Sequence, residues 1–357
     1  MRDQRTASSG GIGTASFGGI GSASFGGIRT ASSRGVHTAS SANQWGNVTR
    51  CGILIAALLL SGCAAAGGAS GAADSARVPI AIQPEADVAA SARRVATWAR
   101  GAEVVYLGEA HDNPLHHAIQ TRIIEALLMD GGRPAIAFEM VPETRQAALE
   151  AAVRGDAGPG EVDRQLGWSV QGWPDFAMYW PLFELARRNG LPVVGTDLDP
   201  AVTRRISREG LGAAGEAPGR LRSALPDDPA RDQAIARRIR TAHCDRISES
   251  RAERMLESWY ARNVVIARRV SGALERASQV VVIIGRGHQS VGGVPEQLDA
   301  LRRGTRQFVM ALIEGEADSS SESTADVVWL TPTRQRPDPC STLPQRLGGL
   351  TREGATR

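Results

Sequence analysis

The feature that most constrains the fold is a series of short apolar runs, rich in Val and Ile, that alternate with helical patterns. Nearly continuous apolar strands, each followed by a helix, are typical of a parallel sheet that is buried on both faces. The sequence therefore predicts an α/β fold with a mostly parallel sheet covered by helices. Strands are predicted at 103–108, 135–140, 192–197, 280–285 and 307–314, with a weaker one at 327–330.

Residues 198–279 separate the third predicted strand from the fourth, and helical patterns at 229–243 and 248–273 fill most of that interval. A crossover between parallel strands needs only about a dozen residues. We therefore predict a small helical cap beside the sheet, at about 143–190 and 200–265. Six aromatic residues at 168–183 belong to this cap. Such a cluster is either core or the wall of a pocket for a flat apolar ligand.

The remaining segments have a different composition. Residues 1–44 consist largely of Gly/Ser-rich octads, which cannot bury enough apolar surface to fold, so we expect a disordered extension or a misassigned start. We assign 45–62 to a signal, 63–80 to a flexible tether, 81–315 to the α/β domain and 316–357 to a Ser/Pro/Arg-rich tail that holds the weak strand.

An apolar run at 51–60 follows Arg50 and ends in Leu60-Ser61-Gly62-Cys63. The run is shorter than the roughly 20 residues that span a bilayer, and it has the layout of a secretory signal. Its last four residues resemble the lipobox of bacterial lipoproteins. That resemblance implies lipidation of Cys63 and a lipid-anchored location in the cell envelope, at the outer membrane.

Charge bears on the class of partner, and cysteine content bears on the cellular compartment. Residues 1–62 carry five Arg and one Asp, hence +4, so the rest of a chain of net charge +3 carries −1. No basic surface for nucleic acid is expected. Cys244 and Cys340 remain after the signal and Cys63. A disulfide between them suits an oxidising compartment, but spacing alone leaves the pairing open.

Polar residues follow four of the predicted strands. Two strands end in Gly-x-x-His, with His111 and His288, and two end in a carboxylate, Glu139 and Asp197. The carboxyl ends of parallel strands meet at one edge of the sheet, where ligands bind. Glycine at these ends would let the backbone turn sharply and approach the site.

Together with Glu109, these residues could hold a divalent metal or form an acid/base set. The candidate metal ligands are His111, Glu139 and His288. The alternative is that the histidines only satisfy buried backbone groups. The sequence lacks a complete dinucleotide motif, a Gly-x-Ser-x-Gly elbow and a Cys-x-x-Cys pair.

Two further histidines follow His111. Asn113 and Pro114 are typical of a helix N-cap and first turn, so His116 and His117 would lie about 100° apart and only one could face the site. We expect His117 to face it and His116 to be solvated.

Three stretches together resemble the ChaN family of haem-binding uptake lipoproteins, within the Tiki superfamily of metalloproteases and erythromycin esterases. They are 109–120, 138–140 and 285–295, the last of which contains Gly285-Arg286-Gly287-His288. The resemblance implies an α/β domain with a helical cap and a haem held with help from a tyrosine. It points to Tyr260 on the cap helix, with His111, His117 and His288 as further haem-binding candidates. Trp259 and Asn263 depart from the family, in which Gln and Asp would fit.

Three functions remain open. The first is a membrane-anchored lipoprotein that binds haem and passes it to transport machinery, either as a monomer or as a homodimer. The second is a hydrolase of peptides or esters in which His111, Glu139 and His288 activate water, alone or around a metal, with Glu109 as a further catalytic candidate. The third is a periplasmic scaffold without catalysis.

Overall fold

The computed structural model describes residues 79–83, 86–215, 218–316 and 324–342. The octads, the signal and the predicted lipidation site Cys63 lie outside the described residues.

Seven strands form one sheet in the order β1-β7-β6-β2-β5-β3-β4, and each pairing is parallel. This confirms the α/β fold and the parallel sheet. Strand β1 was not predicted, because its apolar run of three residues is too short to stand out and two of the three are exposed. The strands are β1 Ile80–Ile82, β2 Val104–Glu109, β3 Ala135–Pro142, β4 Val193–Asp197, β5 Val280–Gly285, β6 Gln307–Glu314 and β7 Val327–Thr331.

Helices follow most strands and cover both faces of the sheet. They are α1 Val88–Ala99, α2 Pro114–Met129, α3 Gln146–Arg154, α4 Pro159–Leu166, α5 Trp180–Asn189, α6 Pro200–Glu209, α7 Pro218–Leu221, α8 Pro229–Ala242, α9 Glu249–Ala273, α10 Val294–Leu301 and α11 Pro339–Thr342. Five short 3-10 turns lie between them, at Glu143–Arg145, Ser169–Gln171, Phe176–Met178, Leu211–Ala214 and Arg286–His288. None of the described helices combines the length and apolar character that a membrane crossing requires.

The two faces of the sheet have separate cores. On one face, α1, α2 and the segment from α3 to α5 pack against alternate strand residues, and Trp168, Phe176 and Phe183 are buried there. Most of the aromatic cluster therefore contributes to the main core. On the other face, the C-terminal half of α9 and α10 pack against the remaining strand residues.

Helix α9 is the longest described helix and belongs to two layers. Its C-terminal half covers the sheet, whereas its N-terminal half packs with α8 in a small core of its own that includes Ile235, Ile239 and Met255. We call this pair the α8–α9 hairpin. Cys244, in its turn, forms a disulfide with Cys340, which settles the pairing that spacing left open.

Candidate functional site

The carboxyl ends of four adjacent strands bring the predicted residues together. Strand β2 pairs with β5 so that Glu109 lies beside Gly285, and β5, β3 and β4 follow in order. The side chains at these ends are buried: Glu109, His111, Glu139, Asp197 and His288. We call them the carboxyl-edge cluster.

The glycines of the two Gly-x-x-His motifs make room for each other's neighbours. A Cβ on Gly285 would lie 2.5 Å from His111 Nε2, and one on Gly108 would lie 1.9 Å from Gln289 Oε1. Gly285 has an ordinary φ of −65°, and Gly108 lies inside β2. The expectation that a sharp turn requires these glycines is therefore wrong, whereas the expected close approach, which a side chain would obstruct, agrees with these distances. The motifs interlock, each glycine leaving the space that a side chain from the other motif fills.

Glu109 is the centre of the β2 side of the cluster. Its Oε1 accepts hydrogen bonds from the Tyr179 hydroxyl and, at 2.8 Å, from His111 Nδ1. Its Oε2 accepts one from Gln120 Nε2 at 2.6 Å and lies 3.1 Å from His117 Nδ1. Burial alone would raise the pKa of Glu109, but the charges and hydrogen bonds of His117 and His111 hold it well below its usual value. Glu109 is therefore a buried carboxylate anion.

His111 and His117 are the two histidine partners of Glu109. Burial alone would lower the pKa of both rings, but Glu139 and Glu109 raise that of His111, and Glu109 raises that of His117. His117 faces acceptors on both sides, because its Nε2 also donates to the His111 carbonyl at 2.9 Å. The prediction that His117 faces the site agrees with these contacts.

The second nitrogen of His111 is held differently. Its Nε2 is buried, has no hydrogen-bond partner among the described residues and lies 3.7 Å from Glu139 Oε2. The Trp173 ring packs edge-on against the imidazole with 5.0 Å between centroids. This nitrogen therefore lies next to Gly285, with the Trp173 ring against the same imidazole.

Glu139 is the centre of the other side. Its Oε2 accepts from the Gly285 backbone N–H at 2.6 Å, and its Oε1 accepts from Arg262 at 2.8 Å and lies 3.2 Å from His288 Nε2. Burial alone would raise its pKa, but His288, His111 and Arg262 lower it strongly.

Arg262 connects two strand ends. Besides Glu139, its guanidinium donates two hydrogen bonds of 2.8 Å to Asp197. Both acids of the β3 and β4 ends are thus neutralised by one side chain from α9. Sequence reasoning missed this residue, although a charge on the buried face of a long helix is a signal that could have found it.

His288 is buried and contacts two residues of α9. Its Nδ1 forms a short hydrogen bond with Asn263 Oδ1, and the Trp259 ring stacks on it at 6.2 Å between centroids and 16° between planes. Trp259 and Asn263 thus hold His288 from the α9 side.

His116 was expected to be solvated, and this is wrong. It is fully buried, accepts the Ala110 backbone N–H at Nδ1 over 2.9 Å, and bonds Thr331 Oγ1 at 3.0 Å. Burial lowers its pKa to about 3, so the ring is neutral and orders the loop that follows β2.

The three tyrosines have different surroundings. Tyr106 is buried in β2 and donates to Gln307 Oε1 at 2.8 Å. Tyr260 lies in the core of the α8–α9 hairpin, where its hydroxyl donates to Asp232 at 2.6 Å and accepts from Arg231 at 2.9 Å. Tyr179, which sequence reasoning placed only in the aromatic cluster, reaches Glu109.

The cluster does not have the form of a metal site. Among the described residues, no group of three or more His, Cys, Asp and Glu side chains is arranged to hold a metal ion. His111, Glu139 and His288 are neighbours, but Arg262, His288 and the Gly285 N–H already occupy both oxygens of Glu139.

Solved structures of other proteins resemble the chain. The structure of ChaN of Campylobacter jejuni with cofacially bound haem is 19% identical with a TM-score of 0.52, covering 66% of this chain and 89% of that one. Type III effector HopBA1 is 16% identical with a TM-score of 0.39, covering 73% of this chain and 100% of that one. Erythromycin esterase EreC in its open conformation is 13% identical with a TM-score of 0.37, covering 63% and 75%. At these identities, the similarity to the Campylobacter protein shows the fold alone. The other two similarities are too weak to support a conclusion.

No curated protein sequence matches the chain significantly. The model of a protein family described as "Haem-binding uptake, Tiki superfamily, ChaN" matches residues 95–298, which include the whole carboxyl-edge cluster. This match covers more than half of the chain, and the chain belongs to the ChaN haem-binding uptake family of the Tiki superfamily.

Proposed function

We propose that the protein binds haem for iron uptake, at the carboxyl edge of the sheet beside the α8–α9 hairpin. The observation that carries this proposal is the family match over 95–298, which spans both Gly-x-x-His motifs and α9.

Two indole rings support a flat apolar ligand at this edge. Trp173 packs on His111 and Trp259 stacks on His288, and both rings are half-buried. Aromatic rings that are neither core nor fully exposed suit the face of a macrocycle. The ligand would therefore lie across the two motifs.

Two residues suit the iron itself. His111 has an unpartnered Nε2 and a carboxylate behind its Nδ1, the arrangement that orients a histidine ligand. Tyr260 would need to exchange its bond to Asp232 for the iron. His117 and His288 already use both nitrogens, so ligation through either would break an existing contact.

A haemin titration tests the proposal. With micromolar wild-type protein, we expect the Soret band to shift from its position in free haemin. His111→Ala should change the position of the shifted band if His111 holds the iron, and Tyr260→Phe should change it if Tyr260 does. Tyr106→Phe is the matched control, because it also removes one buried tyrosine hydroxyl but lies inside β2. No Soret shift for the wild-type protein would refute haem binding and favour the scaffold.

The structure does not favour a hydrolase in which a carboxylate is the general base. Such a base needs an oxygen that is free to accept a proton. Glu109 and Glu139 each accept several hydrogen bonds from charged or amide donors, which lowers their basicity.

We further propose that Cys63 carries a lipid that anchors the protein in the bacterial cell envelope, where it would pass haem to transport machinery, alone or as a homodimer. Leu60-Ser61-Gly62-Cys63 and the Gly/Ala/Ser tether after it support this. Incorporation of labelled palmitate into the wild-type chain but not into Cys63→Ser is expected. Equal labelling of both would contradict it.

A further inference from the structure

The chain after β7 crosses the carboxyl edge of the sheet. Residues 332–340, which we call the C-terminal strap, run from the end of β7 to Cys340. Arg336 in the strap donates to Asp112 through Nε at 2.5 Å and Nη2 at 2.8 Å, and to both oxygens of Glu314 at 2.6 Å. One guanidinium therefore joins the strap to the ends of β2 and β6.

These contacts of Arg336 connect the strap to the site through the loop after β2. Asp112 directly follows His111, and Asn113 both caps α2 and donates to Glu314 at 2.6 Å. The loop 110–113 that carries His111 is thus held from outside by Arg336. Charge-assisted, bidentate contacts of this kind are among the stronger hydrogen bonds of proteins.

The far end of the strap is fixed covalently. Cys340 is bonded to Cys244, which lies in the turn of the α8–α9 hairpin with Asp245. Both turn residues have left-handed backbone conformations, with φ of 56° and 54°. Such conformations are uncommon for residues other than glycine, so this turn depends on its surroundings to persist.

The lengths of α9 and of the C-terminal strap are compatible with a ring of chain that the disulfide closes. From Arg262, at the carboxyl-edge cluster, α9 extends to Glu249 over about 20 Å at 1.5 Å per residue. The strap, fully extended, spans up to about 30 Å. Strap, disulfide and the N-terminal half of α9 therefore link the end of β7 to the part of α9 that carries Trp259 and Arg262.

We propose that the C-terminal strap is a redox-controlled gate of the carboxyl-edge site. With the disulfide intact, the strap is held at both ends and Arg336 keeps the loop 110–113 closed. When a protein or small-molecule dithiol reduces Cys244–Cys340, the strap is held only at β7 and by the contacts of Arg336, and the loop opens more often. That the ligand admitted is haem rests on the proposed function, whereas the opening itself does not.

The chemistry is ordinary thiol–disulfide exchange. A thiolate of the dithiol attacks one sulfur, a mixed disulfide forms, and the second thiol of the reductant resolves it. The strap and the hairpin each gain one thiol, and the reductant leaves as a disulfide. Two electrons and two protons pass from reductant to protein.

Opening follows from the entropy of the released segment. A strap fixed at both ends returns Arg336 to its carboxylates after each fluctuation, because the ring keeps its effective concentration high. A segment free at one end gains chain entropy when it leaves, so the local opening free energy falls.

Hydrogen exchange and haemin binding test the gate together, on the full-length protein. Oxidised protein, protein reduced with dithiothreitol, Cys244→Ser/Cys340→Ser and Arg336→Gln are compared. Arg303→Gln is the matched control, an exposed arginine after α10. We expect the amides of Ala110 and Asn113 to exchange on the order of tenfold faster after reduction, in the double serine variant and in Arg336→Gln. Amides of β2 and β5 should stay protected, which separates gating from unfolding.

Haemin association, followed at the Soret band, should accelerate by the same order in the same samples and not in Arg303→Gln. Faster exchange without any haemin binding would overturn the proposed function and leave the gate standing. Equal exchange at Ala110 and Asn113 in oxidised and reduced protein would overturn the gate, whatever haemin does.

Discussion

The two Gly-x-x-His motifs end adjacent strands, yet their histidines have different surroundings. His111 keeps one nitrogen unpartnered and the other on Glu109, whereas His288 is bonded on both sides and stacked under Trp259. The charged partners of Glu109 are two histidines, which can lose their protons, whereas Glu139 is held by His288 and His111 and also by Arg262, which cannot lose its proton. The β2 side is therefore suited to titration and ligand exchange, and the Glu139 side to a fixed structural role.

Replacement of Arg262 should have the largest effect on stability. In Arg262→Met, Glu139 and Asp197 would lose the charge that neutralises them at buried positions. Breaking a buried ion pair costs about 3–5 kcal/mol in the free energy of unfolding. Urea denaturation measures the loss, with Arg268→Met on the same helix as the control. Equal stability of the two variants would mean that Arg262 does not support the Glu139 side.

Replacement of Glu109 should have a smaller effect on stability, but it should also change the titration of His111. Glu109→Gln removes the negative charge and presents an amide to several donors, with an expected loss of about 2–3 kcal/mol. NMR titration should show the pKa of His111 and of His117 falling, because Glu109 raises both. Unchanged histidine titration would contradict the assignment of Glu109 as their counter-charge.

The interlocking glycines allow a matched pair of variants. Gly285→Ala would push on His111 and Gly108→Ala on Gln289, at an expected cost of about 1–3 kcal/mol each. Only Gly285→Ala should displace the His111 imidazole, which its NMR shift would report. An equal change of the His111 NMR shift in both variants would show that the space at Gly285 is not specific for His111.

His116 and His117 should respond to pH in opposite directions. The pKa of His117 is raised, so its stabilisation is full below the ordinary value of about 6.5 and is lost as pH rises through the folded value. The pKa of His116 is lowered to about 3, so its contribution is full above about 6.5 and is lost as pH falls toward that value.

Thermal unfolding across pH 4–9 can separate them. His117→Gln should flatten the loss of stability on the alkaline side, and His116→Gln the loss on the acidic side. If both variants change the same side, the two protonation states are misassigned.

The sequence predicted the sheet well because buried parallel strands have a strong apolar signal. It brought Glu109, His111, Glu139, Asp197 and His288 to one edge because the carboxyl ends of parallel strands must meet there. It did not predict the contacts of Arg262 and Tyr179 with Glu139 and Glu109, because these depend on how segments far apart in the sequence pack. His116 was misjudged since its partner Thr331 lies on the last strand, far along the chain.

The central claim is that haem binds across the two motifs at the carboxyl edge. Indole NMR signals of the full-length protein with ¹⁵N-labelled tryptophan test it, because ferric haem broadens nearby resonances. Equimolar haemin should broaden the indole signals of Trp173 and Trp259 and leave that of Trp98, on α1, unchanged. A spectrum without broadening, or one in which Trp98 broadens first, would contradict the claim.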